Sequence, residues 1–365
     1  MIGGLIRIFD NVLGRGEAAV TVPPLDGAFR PNRMLDDAST RIRLEDVDGL
    51  AVVSGEVVAS AGNTILSLAE DGAVRVLKTF EAVVTALADV GGGIAASLAT
   101  GGIAVEGGAY GGRRYGAGDG LGCMTALAAS GRHLYVANGS ATNHAADWQR
   151  DLLERNASGS IWRIDLESGA SERIADGLAW PAGLAIDAEG PVYSEAWKHQ
   201  LARIDPARPG RPKVLQSDLP GYPGRISPAA DGYWLALFAP RSQLVEFVLR
   251  EPAYRKRMMA EVPQPFWVSP RLRSGRSFYE SLQGGGVKHL GLLKPWAPAM
   301  SAGLAAKLDL AFHPRFSLQS RADGRTHGVT AAVEHGGRVV IAARGDGVVV
   351  SLPLANAETD RGDRT

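Results

Sequence analysis

The sequence predicts an all-β fold: a six-bladed β-propeller closed by an N-terminal strand, with short helical insertions. Three observations lead there. One unit recurs, an apolar run, a turn of two to four residues holding Gly or Asp, then a second apolar run, both with period two rather than 3.6. It recurs six times, from near residues 49, 84, 124, 182, 225 and 329, and repeats of ~40 residues with about four strands each are the signature of propeller blades. Glycine is in excess, 46 of 365 residues against an ordinary ~7%, and most glycines fall between the short apolar runs, where tight turns use them. Two β-sandwich domains are the alternative, and the steady repeat without an interdomain linker counts against them.

Taken in order, residues 1–32 read as an irregular arm containing Pro23-Pro24, residues 33–354 as the propeller, and 355–365 as a disordered tail without apolar anchors. The last copy runs out after three strands, and residues 40–46 are placed to supply the missing outer strand. That closure joins the chain ends and removes an open sheet edge. The third and fifth copies carry insertions. The first, 140–158, holds a short helical stretch in which Trp148 and Leu152 share a side. The second, 252–302, sets eight basic residues, among them Arg255, Lys256, Arg257, Arg271 and Lys294, against Glu261 and Glu280, and adds Phe266, Trp267, Phe278, Tyr279 and Trp296. This composition suits an acidic partner, a membrane surface or an anionic ligand, or a solvated lid whose aromatics pack down on the propeller.

Composition excludes several classes. Thirty-nine basic residues balance 39 acidic ones, which argues against nucleic acid as a partner. The single cysteine, Cys123, rules out an internal disulfide or a CxxC site. No apolar run approaches the ~20 residues of a transmembrane helix, and Arg7 and Asp10 interrupt the first segment too early for a secretory signal. The expectation is a soluble cytoplasmic protein. No GxSxG, HExxH, Walker or EF-hand motif occurs, and the seven histidines are scattered.

With the repeat established, several stretches resemble the strictosidine synthase-like family, within the wider superfamily of SMP-30/gluconolactonase and paraoxonase-type six-bladed propellers. WQRDLLER at 148–155 followed by GSIWRID at 159–165 resembles that family's W-x-x-D-L-L-E…G-x-L-x-R-Y-D run. DGLAWPAGL at 176–184 resembles D-G-L-x-F-P-N-G, and DLPGYPGRI at 218–226 resembles N-L-P-G-Y-P-D-N-I. The resemblance implies a ligand pocket where the loops entering the inner strands converge. In hydrolytic relatives this mouth holds calcium, bound by Glu and by Asn or Asp from successive blades, which polarises a lactone or ester carbonyl and activates water. This chain departs from that ligand set: Cys123-Met124 stands for Asn-Asp, Ala182 for Asn, and Gly224 and Arg225 for Asp and Asn, leaving an acid only at Glu45 or Asp46. No metal and no cofactor are therefore expected, calcium having lost its ligand positions. The acid that handles the substrate amine in strictosidine synthase falls near Thr330; the neighbouring Glu334 is expected at the surface.

The residues expected at the mouth are Glu195, Arg225 and His327 as catalytic candidates, with Glu45, Asn138, Trp180 and Tyr222 contacting substrate. Arg225 can neutralise a ligand carboxylate or phosphate, or pair with Glu45 or Glu195 in place of a lost cation. His327 suits acid–base work if it points inward, and Glu195 suits either catalysis or a structural hydrogen bond or ion pair. Two functions follow. One is a small-molecule enzyme performing lactone or ester hydrolysis, or a related condensation, without calcium. The other is a non-catalytic propeller that binds a small molecule or a protein.

Overall fold

The computed structural model describes residues 22–116, 120–205, 210–276 and 301–359, and the backbone of a hairpin, Lys288–His289 with Leu292–Leu293. Six four-stranded antiparallel sheets form the blades of a propeller ring. Their innermost strands are Val47–Val53, Val84–Val90, Met124–Ser130, Pro181–Asp187, Gly221–Ala229 and Val329–His335. These are the six recurring units of the sequence. In blade 5 the 252–302 insertion separates the second strand, Gly232–Pro240, from the third, Gly303–Leu308. In blade 6 the outermost strand comes from the other end of the chain: Thr40–Arg43 pairs with Val348–Pro353, Thr40 opposite Ser351 and Arg43 opposite Val348.

One apolar cluster fills each of the six seams between blades. Val58 and Ile65 meet Val84 and Ala96 between blades 1 and 2, Ala137 and Ile161 meet Leu184 and Tyr193 between blades 3 and 4, and Val47 and Ala59 meet Ala331 and Val349 where the ring closes. Second strands such as Gly93–Leu98 are buried along their whole length, which is why they read as continuous apolar runs. Outermost strands such as Val74–Thr79 stay mostly exposed.

The end of the N-terminal arm lies along blade 5. Asn32 Nδ2 donates to the Ser317 carbonyl at 2.8 Å, Gln319 Nε2 donates to the Phe29 carbonyl at 2.7 Å, and Leu35 is buried in the seam between blades 5 and 6. At the other end a helix, Leu354–Thr359, puts Ala357 into that same seam. Residues 1–21 of the arm and 360–365 of the tail lie outside the described residues.

Every innermost strand slips register against its neighbour within its first few residues. A bulge of this kind turns a side chain off the regular pleat. The residues passed over are Asp48 with Gly49, Thr85, Thr125, Ala182, Gly224 with Arg225, and Thr330. These six places ring the mouth of the central channel.

Candidate functional site at the channel mouth

Arg225 reaches across that ring. Its Nη1 donates to the carbonyls of Asp48 at 3.1 Å and Thr330 at 3.2 Å; its Nη2 donates to Asp48 Oδ2 at 2.6 Å and to the Thr85 carbonyl at 2.7 Å. Blade 5 faces blade 2 in a six-membered ring, so the bond to Thr85 spans the channel. Arg344 Nη1 approaches Asp48 Oδ1 at 3.3 Å, and Thr330 Oγ1 donates to the Asp48 carbonyl at 2.7 Å. Burial raises the Asp48 carboxyl, but Arg225 and Arg344 outweigh it and hold the group below its ordinary value. Asp48 and Arg225 are largely covered, whereas the Arg344 side chain is 43% exposed. Two guanidinium groups and one carboxylate leave the mouth with net positive charge.

Beside this polar centre lies an apolar one. Cys123, Trp180, Ala182, Tyr222 and Phe238 pack together with Trp148, Trp197 and Leu272. Trp180 stacks on Trp197 at 5.2 Å, and Trp197 meets Tyr222 edge-on at 5.9 Å. Burial pushes the Cys123 thiol up to about 12, so it stays a neutral packing group. The helix Trp148–Glu154 covers one side, fixed by the buried Asp151, whose Oδ1 accepts from Trp197 Nε1 at 2.8 Å and whose Oδ2 accepts from Asn143 and Asn156. The acid of the WQRDLLE run thus organises the mouth wall. Gly183 has a steric reason: a side chain there would run into the Gly224 carbonyl of the neighbouring blade.

A strap, residues 267–276, crosses above the mouth. Gln149 Nε2 ties it to blade 3 through Ser269 Oγ at 2.9 Å and the Pro270 carbonyl at 2.8 Å. Leu272 packs into the aromatic cluster. Arg273 then bonds Asp346 at 3.1 Å and His327 Nδ1 at 2.8 Å, anchoring the strap on blade 6.

The residues expected at the mouth are distributed as follows. Trp180 and Tyr222 meet in the aromatic cluster, Trp180 with its backbone in the left-handed region at φ 57°. Glu195 lies below Trp180, wholly buried: Oε1 accepts the Ala179 N–H at 2.8 Å and pairs with Lys198 at 2.7 Å, and Oε2 accepts from Gln200 at 2.7 Å. It holds the turn that aims Trp180. Asn138 braces Cys123, whose N–H it accepts at 2.8 Å. Arg225 pairs with Asp48 rather than with Glu45 or Glu195. Glu45 is an exposed residue paired with Arg43 at 2.7 Å. His327 is buried beneath the strap, Nε2–H donating to the Arg321 carbonyl at 2.7 Å while Nδ1 accepts from Ser301 and Arg273; burial and Arg273 keep it below the usual histidine range. Glu334, expected at the surface, is tucked in to accept from Lys307 at 2.9 Å and Trp234 Nε1 at 3.1 Å.

Asp48 and Arg344 are not among the expected site residues, and the strap lies in the insertion for which a lid is one expectation. A signal for Asp48 is present in the repeat: the inner strands begin VDGLA, VTALA, MTALA, PAGLA and VTAAV, so Asp48 shares a column with Thr85, Thr125, Ala182 and Thr330. The next column holds Gly or Ala in these five copies and Arg225 in the remaining one.

No family model matches the chain, and no curated protein matches it. Solved structures do. A gluconolactonase from Xanthomonas campestris aligns over 88% of this chain and 90% of its own, at 15% identity and a TM-score of 0.53. A putative gluconolactonase aligns over 86% and 91%, at 11% identity and a TM-score of 0.52. The chain therefore shares the six-bladed fold of gluconolactonase-type propellers.

Proposed function

We propose that this chain is a small-molecule propeller, of the strictosidine synthase-like kind that its WQRDLLE and LPGYPG segments resemble, which binds its ligand at the channel mouth without calcium. The observation that carries this reading is the Arg225 guanidinium at the centre of the ring. Calcium wants six to eight oxygens. The oxygens converging here, Asp48 Oδ2 and the carbonyls of Asp48, Thr85 and Thr330, each accept from Arg225. Cys123, Ala182 and Gly224 offer no side-chain oxygen, and no group of three or more His, Cys, Asp or Glu suited to a metal occurs among the described residues. The donor set suits a guanidinium and does not suit a divalent cation. Arg344, part-exposed and bound to Asp48, suits a ligand that carries a carbonyl or carboxylate.

Hydrolysis of a lactone or ester is the second reading, favoured by Asp48, an ionised carboxylate between two guanidinium groups. In that reading Arg344 polarises the carbonyl and Asp48 orients water. Glu195 and His327 have no part in it, since both are wholly buried, one holding the turn and the other the strap.

The test is a panel of lactones, aryl esters and their acids, assayed in EDTA for turnover and for thermal stabilisation. Stabilisation lost in Arg344→Ala, without turnover, supports binding. EDTA-resistant turnover lost in Asp48→Asn supports hydrolysis. Turnover that requires calcium overturns both.

A further inference from the structure

The helical cap built by the first part of the 252–302 insertion and the helix before it has no part in the mouth chemistry. Its two helices are Gln243–Arg250 and Pro252–Glu261, followed by a turn, Gln264–Phe266. Val245, Val248 and Met258 face inward, with Met258, Leu153 and Trp267 forming the cluster beneath. The outward side is unusual. Phe247 is 43% exposed, Tyr254 50% and Phe266 42%. Among the described residues these are the large aromatics that stand exposed, and all three fall within one short stretch. The cap itself, 243–266, carries Arg250, Arg255, Lys256 and Arg257 against three acidic residues. Of those acids, Glu246 turns inward to His199 and Arg241, and Glu261 is paired with Arg257 at 2.9 Å. Glu251 remains exposed at the junction of the two helices, while Lys256 and Arg257 face solvent.

We infer that this cap docks onto an anionic phospholipid surface. Aromatic side chains interleaved with basic ones on a short helical surface insert at the headgroup boundary while the cations meet lipid phosphates. Phe247 and Tyr254 stand on helices and Phe266 on the turn after them rather than lining a groove, so they offer a protein partner little to enclose, whereas a bilayer needs no matching shape. No helix of the described chain is long and apolar enough to cross a membrane, so the contact is peripheral. The inference is independent of the chemistry at the mouth.

Co-sedimentation of the full chain with vesicles of phosphatidylcholine alone, and with one-quarter phosphatidylglycerol, tests this. The expected result is binding to the anionic vesicles at least about tenfold stronger than to the neutral ones. Lys256→Ala with Arg257→Ala should weaken it by about twentyfold, each cation near an anionic surface being worth about fivefold. Phe247→Ser, Tyr254→Ser and Phe266→Ser together should weaken it by about tenfold or more; these side chains are exposed, and an unchanged Tm confirms that the variant is folded. Equal binding to both vesicle types overturns the inference. So does anionic binding that the aromatic triple variant retains in full, which would mark a purely electrostatic patch for an acidic protein.

Discussion

Arg225 on blade 5 and Asp48 on blade 1 meet across the central channel, with Nη2 and Oδ2 2.6 Å apart. The same guanidinium binds carbonyls on blades 2 and 6. One side chain therefore joins four of six blades at the point where their inner strands bulge. In physical terms it does what a central cation does: it holds converging oxygens that would otherwise repel one another.

Removing it should therefore be costly. Arg225→Ala leaves Asp48 buried without its main partner and takes the guanidinium from the Thr85 and Thr330 carbonyls, and breaking such a buried pair costs about 3 kcal/mol. Urea denaturation should show a loss of this size, with Arg225→Lys intermediate because an ammonium keeps the charge but lacks the planar fork. A loss within experimental error would mean that the ring stands without the guanidinium.

Asp48 sets an acid limit. Its folded value lies below its ordinary one, so its contribution is complete above the unfolded value of about 3.9 and is lost as pH falls through the folded value. Stability measured below about pH 4 should fall less steeply in Asp48→Asn than in the parent chain. Parallel curves would contradict this.

His327 acts in a different window. Surrounded by Arg273, Asp346 and Asp36, it is held below the ordinary histidine value of about 6.5, chiefly by burial. The unfolded chain takes up its proton first, so stability drops as pH falls below about 6.5, by at most about 1.4 kcal/mol per pH unit from this residue. His199, buried against Glu246, is shifted in the same direction. In His327→Gln the slope between pH 7 and 5 should shrink, while in the parent chain amide exchange in 267–276 should quicken as the strap loses its blade 6 anchor. Exchange that ignores pH would detach His327 from the strap.

Glu195 tests whether a buried acid is structural. Glu195→Ala removes the acceptor of the Ala179 N–H and the partner of Lys198, and should cost about 3 kcal/mol. Glu195→Gln keeps an acceptor for the backbone and should cost about half as much. Tryptophan fluorescence should shift in the alanine variant, because the turn places Trp180 on Trp197. A normal spectrum and full stability would return Glu195 to the catalytic candidates.

The sequence conveyed the ring well and the site poorly, for reasons visible in particular residues. Inner strands such as Val84–Val90 bury nearly every side chain, so they stand out, and the closing strand, found at Thr40–Arg43, is expected within 40–46 because the last copy lacks one. An outer strand such as Arg114–Tyr115 is only two residues long and carries little pattern. Mouth residues depend on the bulges. A period-two reading passes straight through Asp48-Gly49 and Gly224-Arg225, whereas the chain kinks there and turns a different side chain to the channel. Burial was equally hidden: for Glu195 the sequence leaves catalysis and a structural hydrogen bond or ion pair open, and for His327 acid–base work if it points inward, and each is engaged with partners brought in by loops and by the strap.

With the Arg225 guanidinium standing where a cation would, calcium is expected to find no site at the mouth. Thermal unfolding of the parent chain in EDTA and in millimolar calcium tests it most directly. A ligand that binds the folded state raises Tm by mass action. The same Tm is expected in both solutions; a calcium-dependent rise of several degrees, abolished in Asp48→Asn, would mean that the mouth takes the ion.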